Sequence, residues 1–125
     1  MELLDDLRYT ENHEWVKVDG EFAFIGITEY AANELGEIVH VELPEVGDHV
    51  VADDPLGSLE AVKTVEDIYS PVSGIVEKIN DNLFDSPELI NSSPYEDGWM
   101  VKIRYSNKGE IEKLLTVEEY RSRLG

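Results

Sequence analysis

The sequence has no cysteine, which removes the protein's own thiols as nucleophiles, metal ligands or disulfide partners, so any sulfur redox chemistry must be imported. Positive charge is scarce as well. Ten lysines and arginines face 28 aspartates and glutamates, a formal net charge of -18. A surface of that sign repels phosphate backbones and anionic bilayers, which excludes nucleic acid and membranes as partners and favours cationic patches on other proteins. The three histidines, His13, His40 and His49, are scattered without a nucleophile motif or ligand spacing, so neither a catalytic triad nor a zinc site is indicated. Glycine-rich phosphate loops are missing, which argues against a nucleotide enzyme. With 28 carboxylates, acid–base pairs arise by chance and carry little weight. No apolar run reaches membrane-spanning length. The acidic start Met1-Glu2-Leu3-Leu4-Asp5-Asp6 resembles neither a secretory signal nor an Arg-rich transit peptide, so a cytosolic chain is expected, or an organellar one whose presequence has been removed.

What is present fits one soluble domain spanning 1-125. Hydrophobic residues make up 42% of the chain and charged residues 30%, enough apolar surface for a core and too much for disorder. Residues 14 to 27 read as a β-hairpin reversing at Asp19-Gly20. Thr28 caps a short helix from Glu29 to Leu35, and Gly36 ends it. Ile38 to Leu43 reads as a strand with Val39, Val41 and Leu43 on one face, closed by Pro44. Short strands follow at His49-Val50-Val51, Gly57 to Ala61, Val65 to Tyr69 and Gly74 to Ile79. Residues 80 to 98, rich in Asn, Asp, Ser and Pro, read as a long surface loop with a helical turn at Pro87-Glu88-Leu89-Ile90. Trp99 to Tyr105 is a central strand with Trp99, Val101, Ile103 and Tyr105 on one face. Thr116 and Glu119 form a capping box, with Leu115 and Tyr120 as its hydrophobic staple, opening a C-terminal helix that runs to about Leu124. Strands and turns at this spacing predict a β-sandwich or flattened barrel.

One stretch remains chemically suggestive. Leu56 to Gly74 places Lys63 at a strand-to-strand reversal between Val62 and Val65, where turn chemistry would favour Asn, Asp or Gly. A lysine amine on its flexible stem at a hairpin tip is a natural anchor for a swinging prosthetic group. The same pattern also fits a buried strand whose lysine snorkels to solvent. Pattern alone leaves both readings open.

A resemblance separates them. His13-Glu14-Trp15, Gly26-Ile27-Thr28, Leu35-Gly36-Glu37, Val41-Glu42-Leu43-Pro44-Glu45-Val46-Gly47-Asp48, Gly57 with Glu60 and Val62-Lys63, Ser70-Pro71-Val72-Ser73-Gly74, Leu89-Ile90-Asn91, Pro94-Tyr95 and Gly98-Trp99 occur in the order found in the H proteins of the glycine cleavage system. The chain resembles that family along nearly its whole length. Ala61 stands where the family often has Ser, and Thr64 where it often has Ala. Both are small changes.

The resemblance implies a barrel-sandwich hybrid of two small antiparallel sheets, with a short internal helix and a C-terminal helix. It implies lipoic acid in amide linkage to Lys63, with Glu60 and Val62 recognised by the lipoylating enzyme, a lipoate ligase or a lipoyl/octanoyl transferase. The expected protein is a monomeric, non-catalytic carrier. It would take the aminomethyl group of glycine from the decarboxylating glycine dehydrogenase (P protein) to the aminomethyltransferase (T protein), and dihydrolipoyl dehydrogenase (L protein) would reoxidise it. The cytoplasm of a bacterium is the implied location, or the mitochondrial matrix if a presequence has been removed. Amidation would take the net charge from -18 to -19, and an arm reaching ~10 to 15 Å would enter a partner's active site while the domain stays outside. Asn12, Glu14 and Asp67 match polar positions expected to face the arm and hold its cationic cargo by charge-assisted hydrogen bonds. The rival reading is a lipoyl or biotinyl carrier domain of another complex. Against it, biotin carriers usually have Met on both sides of the lysine, and acyltransferase lipoyl domains lack the Asn91 to Trp99 loop and the C-terminal helix. A lipoyl relay serving other complexes remains compatible with the sequence.

Overall fold

The computed structural model describes residues 2–124. Alternation drives the chain into two antiparallel sheets. The larger runs in the order β1 (Arg8–Tyr9), β2 (Glu14–Asp19), β3 (Phe22–Ile27), β9 (Val101–Tyr105), β8 (Gly74–Ile79), β5 (His49–Val50). The smaller is β4 (Ile38–Glu42), β6 (Pro55–Ala61), β7 (Val65–Tyr69). Between them lies the main core, where Ile25, Ile27 and Ile103 meet Val41, Leu59 and Ile68. This is the barrel-sandwich arrangement expected. β2 and β3 pair with Trp15 opposite Gly26, and the turn between them uses Gly20 at φ +62°, a left-handed conformation that glycine adopts without strain. β9 is central, as expected, with Val101 and Ile103 buried and Trp99 lying just before it.

The helices are short. α1 (Glu29–Leu35) starts where Thr28 Oγ1 accepts from the Ala31 N–H at 3.3 Å, and Gly36 follows its last residue. α5 (Val117–Leu124) opens on the expected capping box: the Thr116 N–H donates to Glu119 Oε1 at 2.9 Å and the Glu119 N–H to Thr116 Oγ1 at 3.2 Å. Leu115 and Tyr120 both join a second, aromatic cluster with Tyr9, Trp15 and Tyr95. Tyr9 stacks on Tyr120 with ring centroids 4.7 Å apart.

Several expectations need correction. Ladder register shifts between Ile38 and His40, so Ile38 and Val41 point inward and Val39 is left 44% exposed, rather than Val39, Val41 and Leu43 sharing a face; a bulge breaks the two-residue period. Residues 80 to 98 are not simply a surface loop. They form α2 (Asn82–Asp85) and α3 (Leu89–Ser92), which bury Leu83 and Ile90 completely. β1 and the one-turn helix α4 (Lys108–Glu112) were not anticipated. Among the described residues no helix is long and apolar enough to cross a membrane, and no group of three His, Asp or Glu side chains is placed to hold a metal ion.

Candidate functional site

β6 and β7 form a hairpin with Glu60 opposite Val65, so Val62, Lys63 and Thr64 make the turn. The Ala61 N–H closes it on the Thr64 carbonyl at 2.8 Å, and the Val62 N–H reaches sideways to the Glu37 carbonyl at 3.2 Å. Lys63 and Thr64 are exposed. Val62 and Val65 are 68% and 61% exposed, which removes the buried-strand reading: the apolar residues at this tip face water. Glu60 is exposed beside it, opposite His40 of β4.

A groove of about 410 Å³ runs along β7. One wall is Glu66, Asp67, Ile68 and Tyr69. Four consecutive residues of β7, the outer strand of its sheet, line the groove. The opposite wall is Tyr30, Ala31, Glu34 and Leu35 of α1, one face of the helix, with Ile27 and the turn Glu11-Asn12-His13 completing the lining. The groove is therefore apolar along Ile27, Ala31, Leu35 and Ile68 and acidic at Glu11, Glu34, Glu66 and Asp67.

The structure brings Asn12 and Asp67 to this groove and places Glu14 behind it. Glu14 is 1% exposed. Its Oε1 accepts from Thr10 Oγ1 at 2.5 Å and its Oε2 from the N–H of the groove residue Tyr69 at 3.3 Å. Burial raises the Glu14 pKa, with the two hydrogen bonds opposing that shift and the nearby charge of Asp53 adding to it.

His13, at φ +69°, lines the groove and hydrogen-bonds through Nδ1 to Tyr120 Oη at 2.7 Å. The same hydroxyl meets Thr28 Oγ1 at 2.8 Å. Burial holds His13 below the usual imidazole pKa despite the nearby charge of Glu34, and pushes the Tyr120 phenol up to about 12. The C-terminal helix thus buttresses the turn that carries Asn12. Sequence reasoning missed the α1 contribution, although Tyr30, Ala31, Glu34 and Leu35 have the spacing of one helix face. No comparable signal marked Glu66 or the Tyr120 contact.

The family model described as Glycine cleavage H-protein matches residues 7–125. The glycine cleavage system H protein of Bacillus pumilus (strain SAFR-032) is 56% identical over 115 residues, covering 92% of this chain and 91% of the relative. That of Bacillus subtilis (strain 168) is 56% identical over 120 residues, covering 96% and 94%. The crystal structure of a glycine cleavage system H protein from Mycobacterium marinum superposes with a TM-score of 0.91 at 35% identity, over 98% of this chain and 99% of that one. Two sheets built to the same plan, an exposed lysine hairpin and similarity along almost the entire sequence place this chain in the glycine cleavage H-protein family.

Proposed function

We propose that Lys63 bears the lipoyl group and that the groove along β7 receives the resulting arm. The family's H protein is a non-catalytic carrier with lipoic acid covalently attached to a lysine. Its dithiolane accepts the aminomethyl group of glycine at the decarboxylating glycine dehydrogenase, presents it to the aminomethyltransferase and is reoxidised by dihydrolipoyl dehydrogenase. The observation that carries the assignment is the exposed three-residue tip, closed by the Ala61 to Thr64 hydrogen bond, which holds the lysine stem clear of the domain. The residues present suit the group. Ile27, Ala31, Leu35 and Ile68 offer apolar surface to a hydrocarbon arm. Asn12, Glu34, Glu66 and Asp67 would meet a cationic end with acceptors.

Glu14 serves from behind: it fixes the Tyr69 N–H and adds negative potential beneath the wall. Glu60 and Val62, exposed on either side of the last β6 residue, are the contacts we assign to the lipoylating enzyme. The whole chain, 1-125, acts as one carrier domain. Its Bacillus relatives support a bacterial cytoplasmic location.

Intact and peptide mass on protein from the native host tests the assignment. A lipoyl increment on the peptide containing Lys63, absent from Lys63→Arg, is expected; a native protein unmodified at Lys63 would overturn it. For the groove, Asp67→Asn protein, lipoylated and loaded, is expected to release its aminomethyl group faster than the parent. Equal release rates would remove Asp67 from the cargo site.

A further inference from the structure

We infer that Asn91 is a positioning residue for lipoylation, acting on Lys63 through the backbone of the loop that joins α1 to β4. The inference rests on Lys63 being the acceptor. Asn91 lies on α3, next to the fully buried Ile90 that anchors that helix in the core. Its Nδ2 donates to the Gly36 carbonyl at 2.8 Å and its Oδ1 accepts from the Ile38 N–H at 3.0 Å. The two bonds bracket Glu37. The Glu37 carbonyl is the acceptor for the Val62 N–H at 3.2 Å, one residue before Lys63. A continuous chain of hydrogen bonds thus leads from the core, through one side-chain amide, to the tip.

Both bonds require an amide. A carboxylate would keep the acceptor for Ile38 and set a second acceptor against the Gly36 carbonyl, whereas alanine reaches neither partner. The geometry also explains why the tip needs outside support. The turn's own bond, Ala61 to Thr64, fixes the reversal, and the pairing of β4 with β6 ends where Ile38 lies opposite Ala61. The Glu37 contact carries that support one residue further, to Val62 beside Lys63. With the loop unclamped, the orientation that a modifying enzyme recognises becomes one of several. The apparent KM then rises in proportion to the lost population, while turnover of the bound complex is preserved.

The test compares full-length apo-protein of the parent, Asn91→Ala, Asn91→Asp and Thr116→Ala as substrates for a lipoate ligase supplied with lipoic acid and ATP. Thr116→Ala lowers global stability at the cap of α5, away from the hairpin and the loop that Asn91 clamps. Hydrogen exchange is followed at the Val62 and Ala61 amides. For both Asn91 variants we expect a KM increase of roughly tenfold with kcat within about twofold. Exchange at Val62 should be faster and exchange at Ala61 should match Thr116→Ala. Kinetics equal to the parent would overturn the inference, as would equal losses in Thr116→Ala. Failure of the parent to be modified at Lys63 would instead overturn the acceptor assignment on which the inference stands.

Discussion

Replacing Glu14 separates its structural role from its electrostatic one. In Glu14→Ala the Tyr69 N–H and the Thr10 hydroxyl lose their acceptor, and a side chain that is 1% exposed leaves a void. At ~1 to 3 kcal/mol for each unsatisfied buried donor, with Thr10 only partly buried and able to turn toward water, the cost should be about 2 to 4 kcal/mol. At roughly 3 to 5 °C per kcal/mol for a domain of this size, Tm should fall by roughly 6 to 20 °C. Glu14→Gln behaves differently. Its Oε1 can accept from Tyr69, and its Nε2 can donate to Thr10 Oγ1, so its stability near neutral pH should lie close to the parent's. The pH dependence then isolates the charge. Burial raises the Glu14 pKa in the folded protein, so between its unfolded and folded pKa values the native state holds more protons than the unfolded chain. The parent therefore loses stability as pH rises through that window and levels off above it. Glu14→Gln lacks the step. Thermal unfolding of the three proteins from pH 4 upward should show the parent-minus-Gln difference declining from the ordinary carboxylate range and then flattening. A pH-independent difference would refute the raised pKa. An Ala variant as stable as the parent would refute the hydrogen-bond argument.

Two further changes probe the scaffold. A methyl group on Gly26 would lie 2.6 Å from Trp15 Cζ2, so Gly26→Ala should displace the indole from its 2.9 Å bond to the Pro94 carbonyl. We expect a loss of about 1 to 3 kcal/mol, the usual range for overpacking, and a red shift in tryptophan emission; an unchanged spectrum would count against this packing. Thr116→Ala removes the cap of α5 and should lower stability by about 1 kcal/mol, read as a small, uniform drop in Tm by circular dichroism.

The features legible in the sequence were those encoded by neighbours in the chain. The Asp19-Gly20 reversal, the Thr28 cap with its terminating Gly36, and the Thr116 to Glu119 box each depend on residues a few positions apart, and each formed where it was read. The lysine hairpin was legible in outline, because Val62 and Val65 were too apolar for an ordinary turn. Features set by tertiary contacts were not. β1 is two residues long and exists because Arg8 and Tyr9 find Val16 and Trp15. Leu83 and Ile90 sit among polar residues that mimic a loop, and only the cavity they fill makes them core. The bulge in β4 left Val39 outside and brought Ile38 in, which no alternating pattern could signal. Glu14 was read as an acid facing the arm, and its polar neighbours gave no hint that its carboxylate is buried behind Tyr69. Asn12 and Asp67 did arrive at one groove, while the wall supplied by α1 depended on how that helix docks.

The open side of β7 carries a liability that carriers of this shape must manage. An outer strand with unpaired backbone groups is a template for any extended chain, and the groove proposed for the arm would require this one to stay uncovered. The chain meets that risk with the same residues the groove uses. Glu14 occupies the Tyr69 N–H from below, Glu66 and Asp67 place two like charges on the strand, and Tyr30 and Leu35 of α1 line the same groove. The acids we assign to the cargo would also repel further copies of this acidic chain, so on that assignment cargo retention and resistance to aggregation would be set by one cluster of side chains. Neutralising that cluster to loosen the cargo should therefore also make the protein stickier.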